Sequence, residues 1–252
     1  MKTGKLLVGA AIAVGAILSA KAQTLDYLGS AAGSWTAYSG GTLPTLNTTA
    51  PGSITGAAAG WRYARTTSAA GTVPGTWRVG DTYSMNFTGT VGNGTILRVE
   101  FSDTTHLDGL QMYIQNLATA GADKVSIFSM GTASATTLYT GDFGGSAGVG
   151  LAEQITANLM LTVLAGGKTA SVTGTLGDDR GTLPVTGLTI PLGTTATSLY
   201  AAMNLSSSGS VTGISSLNWG YQAVPEPQTW TLFASLGLAV WGLGRRSLAR
   251  KS

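Results

Sequence analysis

The sequence of 252 residues predicts an all-β body of the sandwich type, carried between a cleaved N-terminal signal peptide and a single C-terminal transmembrane helix. Three observations support this prediction. About ten short alternating or apolar runs follow one another at roughly ten-residue intervals between residues 24 and 222. No convincing helical period occurs in that range, so we expect less than about a tenth of the body to be helical. Only 10% of the residues are charged, and the abundance of Gly, Ser, Thr and Ala suits short strands and turns.

The N-terminal segment has the features of a secretory signal peptide. Lys2 and Lys5 precede an uncharged run at residues 6–20, and the small residues Ala20 and Ala22 flank a cleavage point after Ala22. A retained membrane anchor is the alternative, but the run is short and rich in Gly and Ala. We therefore expect residues 1–22 to be removed during passage through Sec-type export machinery.

The first part of the body contains two aromatic islands, at residues 35–38 and 61–63. Trp61, Tyr63 and Arg65 are spaced two residues apart, so a strand would place them on one face. Exposed aromatic rings are suited to stacking on sugar rings, which makes Trp61 and Tyr63 candidate sugar-stacking residues. The alternative is that these residues belong to the core of one sheet.

Clear alternation begins at residue 82. Residues 82–88 and 96–102 each have one apolar face, and the turn residues 92–94 between them include Asn93-Gly94, which predicts a β-hairpin. Arg98 and Glu100 share the opposite face of the second run. Further strands are predicted at residues 110–115, 125–130, 155–164, 170–176, 188–192, 198–205 and 214–221, with a second hairpin at 166–168. The predicted inward residues are Met85, Phe87, Val99, Phe101, Leu159, Leu161 and Val163.

The order of features in residues 82–176 resembles that of concanavalin-like or laminin-G-like sandwiches. The shared features are a long alternating hairpin, an apolar strand, a Gly-Gly-Lys turn and a strand rich in Thr and Val. This resemblance implies a jelly-roll-type sandwich for the body, residues 23–222. A Thr-rich β-solenoid is the rival fold, but no strict repeat period is visible.

The C-terminal tail, residues 223–252, has three consecutive parts. Val224, Pro225, Glu226 and Pro227 form a box in which the prolines prevent regular structure. An uncharged apolar run follows at residues 229–244, which as a helix would span about 24 Å. The basic end, Arg245, Arg246, Arg250 and Lys251, fits the cytoplasmic side of a membrane.

This tail resembles the PEP-CTERM sorting signal of Gram-negative bacteria. The resemblance implies that an exosortase-type enzyme recognises residues 224–227. It also implies that the apolar run holds the chain transiently in the inner membrane, and that the processed protein reaches the cell surface or extracellular matrix. A plain C-terminal anchor with an accidental Pro-Glu-Pro spacer is the alternative.

Charge and cysteine content limit the function of the body. Residues 23–222 hold seven basic and ten acidic residues, a net charge of −3, so the basic character of the chain lies in its two ends. The body therefore gives no electrostatic support for a nucleic-acid partner. With no cysteine, an exported body must be stabilised by its core alone.

No catalytic constellation is recognisable, and we predict that the chain is not an enzyme. His106 is the only histidine, which we interpret as a solvated loop residue. Gly144-Gly145-Ser146-Ala147-Gly148 matches G-x-S-x-G, but the strand-to-helix context of a nucleophile elbow is missing. The body has two glutamates, Glu100 and Glu153, and no acid-x-acid pair of the kind that sandwich hydrolases often use.

No cofactor or metal site is predicted with defined ligands. Asp103, Asp108, Asp178 and Asp179 could supply oxygen ligands to calcium, as in lectin-like sandwiches, but turn formation also explains these aspartates.

Three functions are left for the body. The first is a structural or adhesive surface protein associated with exopolysaccharide, which needs no defined site. The alternative is a carbohydrate-binding, lectin-like module, and the second alternative is a polysaccharide-acting enzyme. An ice-binding surface ranks last, because the regular T-x-T ladder of a flat ice face is missing.

Overall fold

A computed structural model describes residues 22–37, 42–56, 62–132, 135–144, 150–193, 197–206 and 208–224. These residues form sixteen β-strands and two single-turn 3-10 helices, Ala32–Ser34 and Ala69–Gly71, which confirms the prediction of an all-β body. The strands are β1 (Ala22–Asp26), β2 (Trp35–Thr36), β3 (Thr45–Asn47), β4 (Gly52–Thr55), β5 (Arg62–Thr66), β6 (Thr72–Pro74), β7 (Thr82–Val91), β8 (Thr95–Ser102), β9 (Gly109–Asn116), β10 (Asp123–Met130), β11 (Thr136–Gly141), β12 (Glu153–Val163), β13 (Thr169–Asp178), β14 (Gly181–Pro191), β15 (Ser198–Leu205) and β16 (Ser210–Gln222).

The strands form two antiparallel sheets of eight strands each. Sheet A has the order β14-β13-β12-β7-β16-β4-β3, and β1 pairs with β16. Sheet B has the order β11-β10-β9-β8-β15-β5-β2, and β6 pairs with β15. The two sheets pack face to face, so the predicted jelly-roll-type sandwich is confirmed.

The core lies between the inner faces of the two sheets. Tyr83 of sheet A meets Phe101 of sheet B edge to face, with ring centres 5.6 Å apart, and Trp35 of sheet B lies 5.6 Å from Trp219 of sheet A. All seven residues predicted to face inward are at most 2% exposed, which confirms the inward faces read from the alternation.

The predicted hairpin between residues 82 and 102 is wrong. β7 pairs with β12 and β16 in sheet A, whereas β8 pairs with β9 and β15 in sheet B. The turn at residues 92–94 therefore carries the chain from one sheet to the other, and the Gly92 amide donates to the Ser210 carbonyl at 2.8 Å. Because each strand has one fully apolar face, opposing these faces across the sandwich buries both of them.

The second predicted hairpin is confirmed, since β12 and β13 pair from Thr156↔Gly177 to Val163↔Ala170. The sequence did not reveal β11, and β14 begins seven residues before the predicted strand at 188–192. Both segments are rich in Thr and Gly and have little apolar alternation.

Residues Gln23–Gln222 form one compact unit. The two ends, Met1–Ala22 and Ala223–Ser252, are grouped as a second unit, of which only Ala22, Ala223 and Val224 are described. Within the described part of the chain, no helix has the length and apolar character needed to cross a membrane. The predicted span at residues 229–244 lies outside that part, as does most of the predicted signal peptide.

Candidate functional site

The outward surface of sheet B holds several buried polar residues. Alternation places every second residue of β5, β15, β8, β9 and β10 on the side that faces away from sheet A. Since Phe101 packs against Tyr83 of sheet A, Glu100 and Ser102 point to the opposite side. Strand register arranges these outward residues in rows. We call the following twelve residues the polar face: Tyr63, Asn204, Arg98, Tyr113 and Ser126 in one row, Arg65, Ala202, Glu100, Gln111 and Phe128 in the next, and then Tyr200 and Ser102.

The polar face is far less accessible than the outward surface of a sandwich usually is. Its floor consists of Glu100, Asn204, Ala202 and Ser102, each 0% exposed, together with Gln111 and Ser126, each 2% exposed. The larger side chains around this floor are half-buried. The outward side of sheet B therefore has a buried polar surface, where a solvent-exposed one is expected.

Glu100 is the centre of a buried hydrogen-bonded cluster. Its Oε1 accepts from Gln111 Nε2 at 2.6 Å, and its Oε2 lies 2.7 Å from His106 Nδ1. The His106 side chain is 17% exposed, so the prediction of a solvated loop histidine is wrong. The physical reason is that a carboxylate removed from water requires donors, and the loop that follows β8 brings the histidine ring to it.

The loop that carries His106 is held by Asp103. Asp103 Oδ1 accepts from the amides of Leu107 at 2.9 Å and Asp108 at 3.2 Å, and Oδ2 accepts from the Thr105 hydroxyl. Although partial burial acts to raise it, these hydrogen bonds hold the pKa of Asp103 below its ordinary value. His106 takes a left-handed conformation with φ 60°, which turns its ring back over the sheet.

Two arginines of the polar face stack on tyrosine rings. The guanidinium carbon of Arg65 lies 4.4 Å from the centre of the Tyr200 ring, and that of Arg98 lies 5.6 Å from the centre of the Tyr113 ring. Burial raises the pKa of Tyr113, while the charge of Arg98 acts to lower it. The stacking holds two cations in defined positions on this surface.

Several buried atoms of the polar face have no hydrogen-bond partner within the protein. These atoms are Oδ1 and Nδ2 of Asn204, Oε1 of Gln111, Oγ of Ser102, Oγ of Ser126 and Nε of Arg65. Buried polar atoms in folded proteins are nearly always paired. Groups of this kind are ordinarily paired by ordered water or by a bound ligand.

A groove of about 270 Å³ opens at one side of the polar face. It is bounded by the His106 loop and the end of β10, and its lining includes Arg98, His106, Leu107, Gln111, Phe128 and Met130. The groove thus combines hydrogen-bonding groups of the polar face with apolar walls, and Leu107 is 68% exposed at its edge.

The structure places one of the two predicted sugar-stacking residues at this site. Tyr63 is a member of the polar face, and its ring lies edge-on to His106 with centres 5.4 Å apart. Trp61 lies outside the described residues. Sequence reasoning missed Asn204, Gln111 and Tyr200, although each alternates with buried apolar neighbours in a predicted strand.

The carboxylates considered for hydrolysis and calcium binding are distributed differently. Glu100 and Glu153 lie on strands of different sheets, β8 and β12, so the two do not form a paired site. Burial, and then the charges of Asp179, Asp123 and Asp178, raise the pKa of Glu153. Asp178 accepts from Arg180 Nη2 at 2.8 Å. Among the described residues, no three acidic or histidine side chains are grouped closely enough to hold a metal ion.

The predicted targeting residues lie mostly beyond the described part of the chain. Val224 is described and 40% exposed, while Pro225, Glu226, Pro227 and the basic residues Arg245, Arg246, Arg250 and Lys251 lie outside it. Ala22 is the first residue of β1, and Ala20 is not described. The sorting box, the cytoplasmic stop and the cleavage point stay predictions.

Comparison with known proteins gives structural matches only. No protein-family model matches the chain, and no curated protein matches it either. A carbohydrate-binding module, CBM66 from Bacillus subtilis, is similar with 12% identity and a TM-score of 0.35 over 76% of this chain and 93% of that one. A β-glucanase from Bacillus licheniformis gives 10% identity and a TM-score of 0.43 over 82% and 98% of the two chains. Lectin II from Ulex europaeus is similar with 8% identity and a TM-score of 0.44, over 80% of this chain and 97% of that one. At these values, what those proteins bind or act on does not transfer to this chain.

Proposed function

We propose that this chain is an exported, non-catalytic glycan-binding protein of the cell surface or extracellular matrix, with the polar face of sheet B as its sugar site. The proposal depends on one observation, namely that six buried polar atoms of this face find no partner within the protein. Each unpaired buried donor or acceptor costs about 1–3 kcal/mol. Their concentration on the outward side of one sheet favours a polar ligand that completes these hydrogen bonds.

The chemistry of the polar face suits a sugar better than an apolar ligand. Sugar hydroxyls both donate and accept, and the side-chain amides of Asn204 and Gln111 offer matching acceptors and a donor. Tyr63 and Phe128 supply aromatic surface beside them, on which the C–H face of a sugar ring can lie. Convergent polar groups with adjoining aromatic walls are typical of specific small-ligand sites.

This site changes the order of the functions considered from sequence. A purely structural surface protein needs no defined site, whereas the polar face is a defined one. We therefore favour the carbohydrate-binding alternative and treat adhesion to exopolysaccharide as its consequence. Nothing in the arrangement of Glu100 and Glu153 supports a paired-carboxylate hydrolase.

The targeting part of the proposal depends on sequence resemblance. Export by Sec-type machinery follows from residues 1–22, and exosortase-type processing follows from the order of the Val224–Pro227 box residues, apolar run and basic end. In this scheme the inner membrane holds the chain transiently, and the sugar site acts outside the cell.

Polysaccharide binding by the compact unit of residues 23–222 tests the sugar site. In affinity electrophoresis, migration of this fragment should be retarded by at least one bacterial or plant polysaccharide in the gel. Tyr63→Ala should weaken the affinity for that polysaccharide about ten-fold, because it removes an aromatic wall of the site. Tyr139→Ala, which changes a half-buried tyrosine on the edge strand β11, serves as the matched control and should bind as the parent does. Equal binding by the Tyr63 variant, or no retardation by any polymer, would contradict the proposal.

A further inference from the structure

We infer that the ligand of the polar face is an anionic polysaccharide, whose negative groups are bound by Arg65 and Arg98. This inference rests on the proposed function, because it names the class of glycan that the same site would take.

The charges on this side of sheet B differ from those of the rest of the body. The outward positions of β5, β15, β8, β9 and β10 hold three of the seven basic residues of the body, Arg65, Arg98 and Lys124. They hold one of its ten acidic residues, Glu100. Three basic residues and one acidic residue give this side a formal charge of +2, opposite in sign to the net charge of −3 of the body as a whole.

Glu100 does not present its charge to a ligand. It is 0% exposed, and its two oxygens are engaged by Gln111 and His106 at 2.6 and 2.7 Å. Asp103, in the adjoining loop, is likewise engaged by hydrogen-bond donors of its own loop. Asp108 at the rim is the remaining nearby acid, and it lies beside Gly131. The charges that face a ligand on the sheet itself are therefore positive.

Arg65 is positioned to bind an external anion. Its guanidinium group is stacked on Tyr200, its Nε has no hydrogen-bond partner within the protein, and no carboxylate of the described residues forms an ion pair with it. A stacked guanidinium keeps its in-plane N–H groups available, and these N–H groups match the two oxygens of a carboxylate or of a sulfate group.

The floor between Arg65 and Arg98 consists of buried side chains. In its row the next residue is Ala202, which is followed by Glu100, so a small side chain separates the arginine from the buried carboxylate. In the adjacent row Asn204 lies between Tyr63 and Arg98, with both of its amide atoms unpaired. The two arginines thus flank a buried floor that includes the unpaired amide of Asn204.

The test compares charged polymers with neutral counterparts of the same backbone, using the full-length chain in detergent. The probes are polygalacturonate with its carboxyl-reduced form, and dextran sulfate with dextran. We expect at least one charged polymer to bind about ten-fold more tightly than its neutral counterpart, with affinity that falls as salt rises. A preference within the first pair assigns the anion as carboxylate, and one within the second assigns it as sulfate.

Three single-residue variants locate the binding. Arg65→Gln should abolish most of the preference for the charged polymer, and Arg65→Lys should restore only part of it, because lysine keeps the charge without the planar donors. Lys168→Gln, with the same loss of charge at an exposed turn between β12 and β13, should leave the preference unchanged. Thermal unfolding of each variant checks that Arg65→Gln has not simply lost its fold.

Three results would overturn the inference. Equal affinity for charged and neutral polymers would refute the anionic class while leaving the proposed function intact, whereas failure to bind any polymer would refute both. An equal effect of Arg65→Gln and Lys168→Gln would show that attraction depends on overall charge alone and that this face is not its source.

Discussion

At the residue scale, the buried carboxylate of Glu100 explains why a histidine occurs in an otherwise exposed loop. The Glu100 side chain is fully buried on the outward side of sheet B, where it has no share in the apolar core. His106 and Gln111 supply donors to both of its oxygens. The two contacts fix the loop after β8 against the sheet, and this loop forms one wall of the groove beside the polar face.

Replacement of His106 by alanine tests this role. The variant leaves a buried carboxylate oxygen without the ring nitrogen that contacts it, so we expect a loss of about 1–3 kcal/mol in the free energy of unfolding. Chemical denaturation measures this value. Thr104→Ala, at an exposed position of the same loop, should stay within about 0.5 kcal/mol of the parent. A similarly small effect for His106→Ala would restore the interpretation of a solvated histidine.

At the element scale, β8 shows how far the sequence could predict the structure. Alternation identified its inward residues Leu97, Val99 and Phe101, and also the shared outward face of Arg98 and Glu100. It did not identify the neighbours of the strand, because a period of two specifies which face is buried but not which strand lies alongside. The hairpin prediction failed for this reason.

The same limit explains why most of the candidate site was missed. The polar face requires β15 to lie between β5 and β8, although about a hundred residues separate β8 and β15 in the chain. Only that pairing places Asn204 beside Arg98 and Ala202 beside Glu100. Tyr63 was predicted as a sugar contact from its own strand, whereas the role of Asn204 depends on contacts distant in sequence.

The packing of β8 against sheet A is tested by Phe101→Ala. Phe101 is 1% exposed and meets Tyr83 across the sandwich, so its truncation should cost about 3–5 kcal/mol through lost burial and a cavity. Equilibrium unfolding in urea measures this cost. Phe128→Ala, which changes a half-buried phenylalanine on the outward side of β10, is the matched control and should cost clearly less. Equal costs would show that the two faces have been assigned wrongly.

At the scale of the whole molecule, the chain ends differ in charge from the body between them. The two chain ends contain seven of the fourteen basic residues, and their pattern fits export and membrane retention. The body between them is acidic overall, and the polar face holds two of its seven basic residues, Arg65 and Arg98. A protein of this organisation would be carried to the outside by its ends and would act there through one side of one sheet.

The sorting proposal predicts how the tail is processed. Glu226→Ala should leave the chain inserted in the inner membrane with its full-length tail, because the box is altered while the apolar run and basic end remain. Immunoblots of cell fractions measure the length and location of the protein. Gln228→Ala, just outside the box, should be processed like the parent. If Glu226→Ala is shortened and exported normally, the tail is only an anchor.

The central claim is that the unpaired amide of Asn204 binds a ligand and does not stabilise the fold. The variant Asn204→Leu tests this claim most directly. Leucine has a similar shape, and no hydrogen bond within the protein is lost. We therefore expect a free energy of unfolding equal to or above that of the parent, together with a loss of at least about ten-fold in glycan affinity.

The matched control is Asn86→Leu on the outward side of sheet A. Its Nδ2 donates to Asn218 Oδ1 at 2.7 Å, so this variant should lose about 0.5–1.5 kcal/mol of stability and keep its glycan affinity. Calorimetric unfolding and glycan titration of both variants give the decisive comparison. A stable Asn204→Leu protein that no longer binds glycan is the predicted result. A destabilised Asn204→Leu protein that binds as the parent does would contradict the claim.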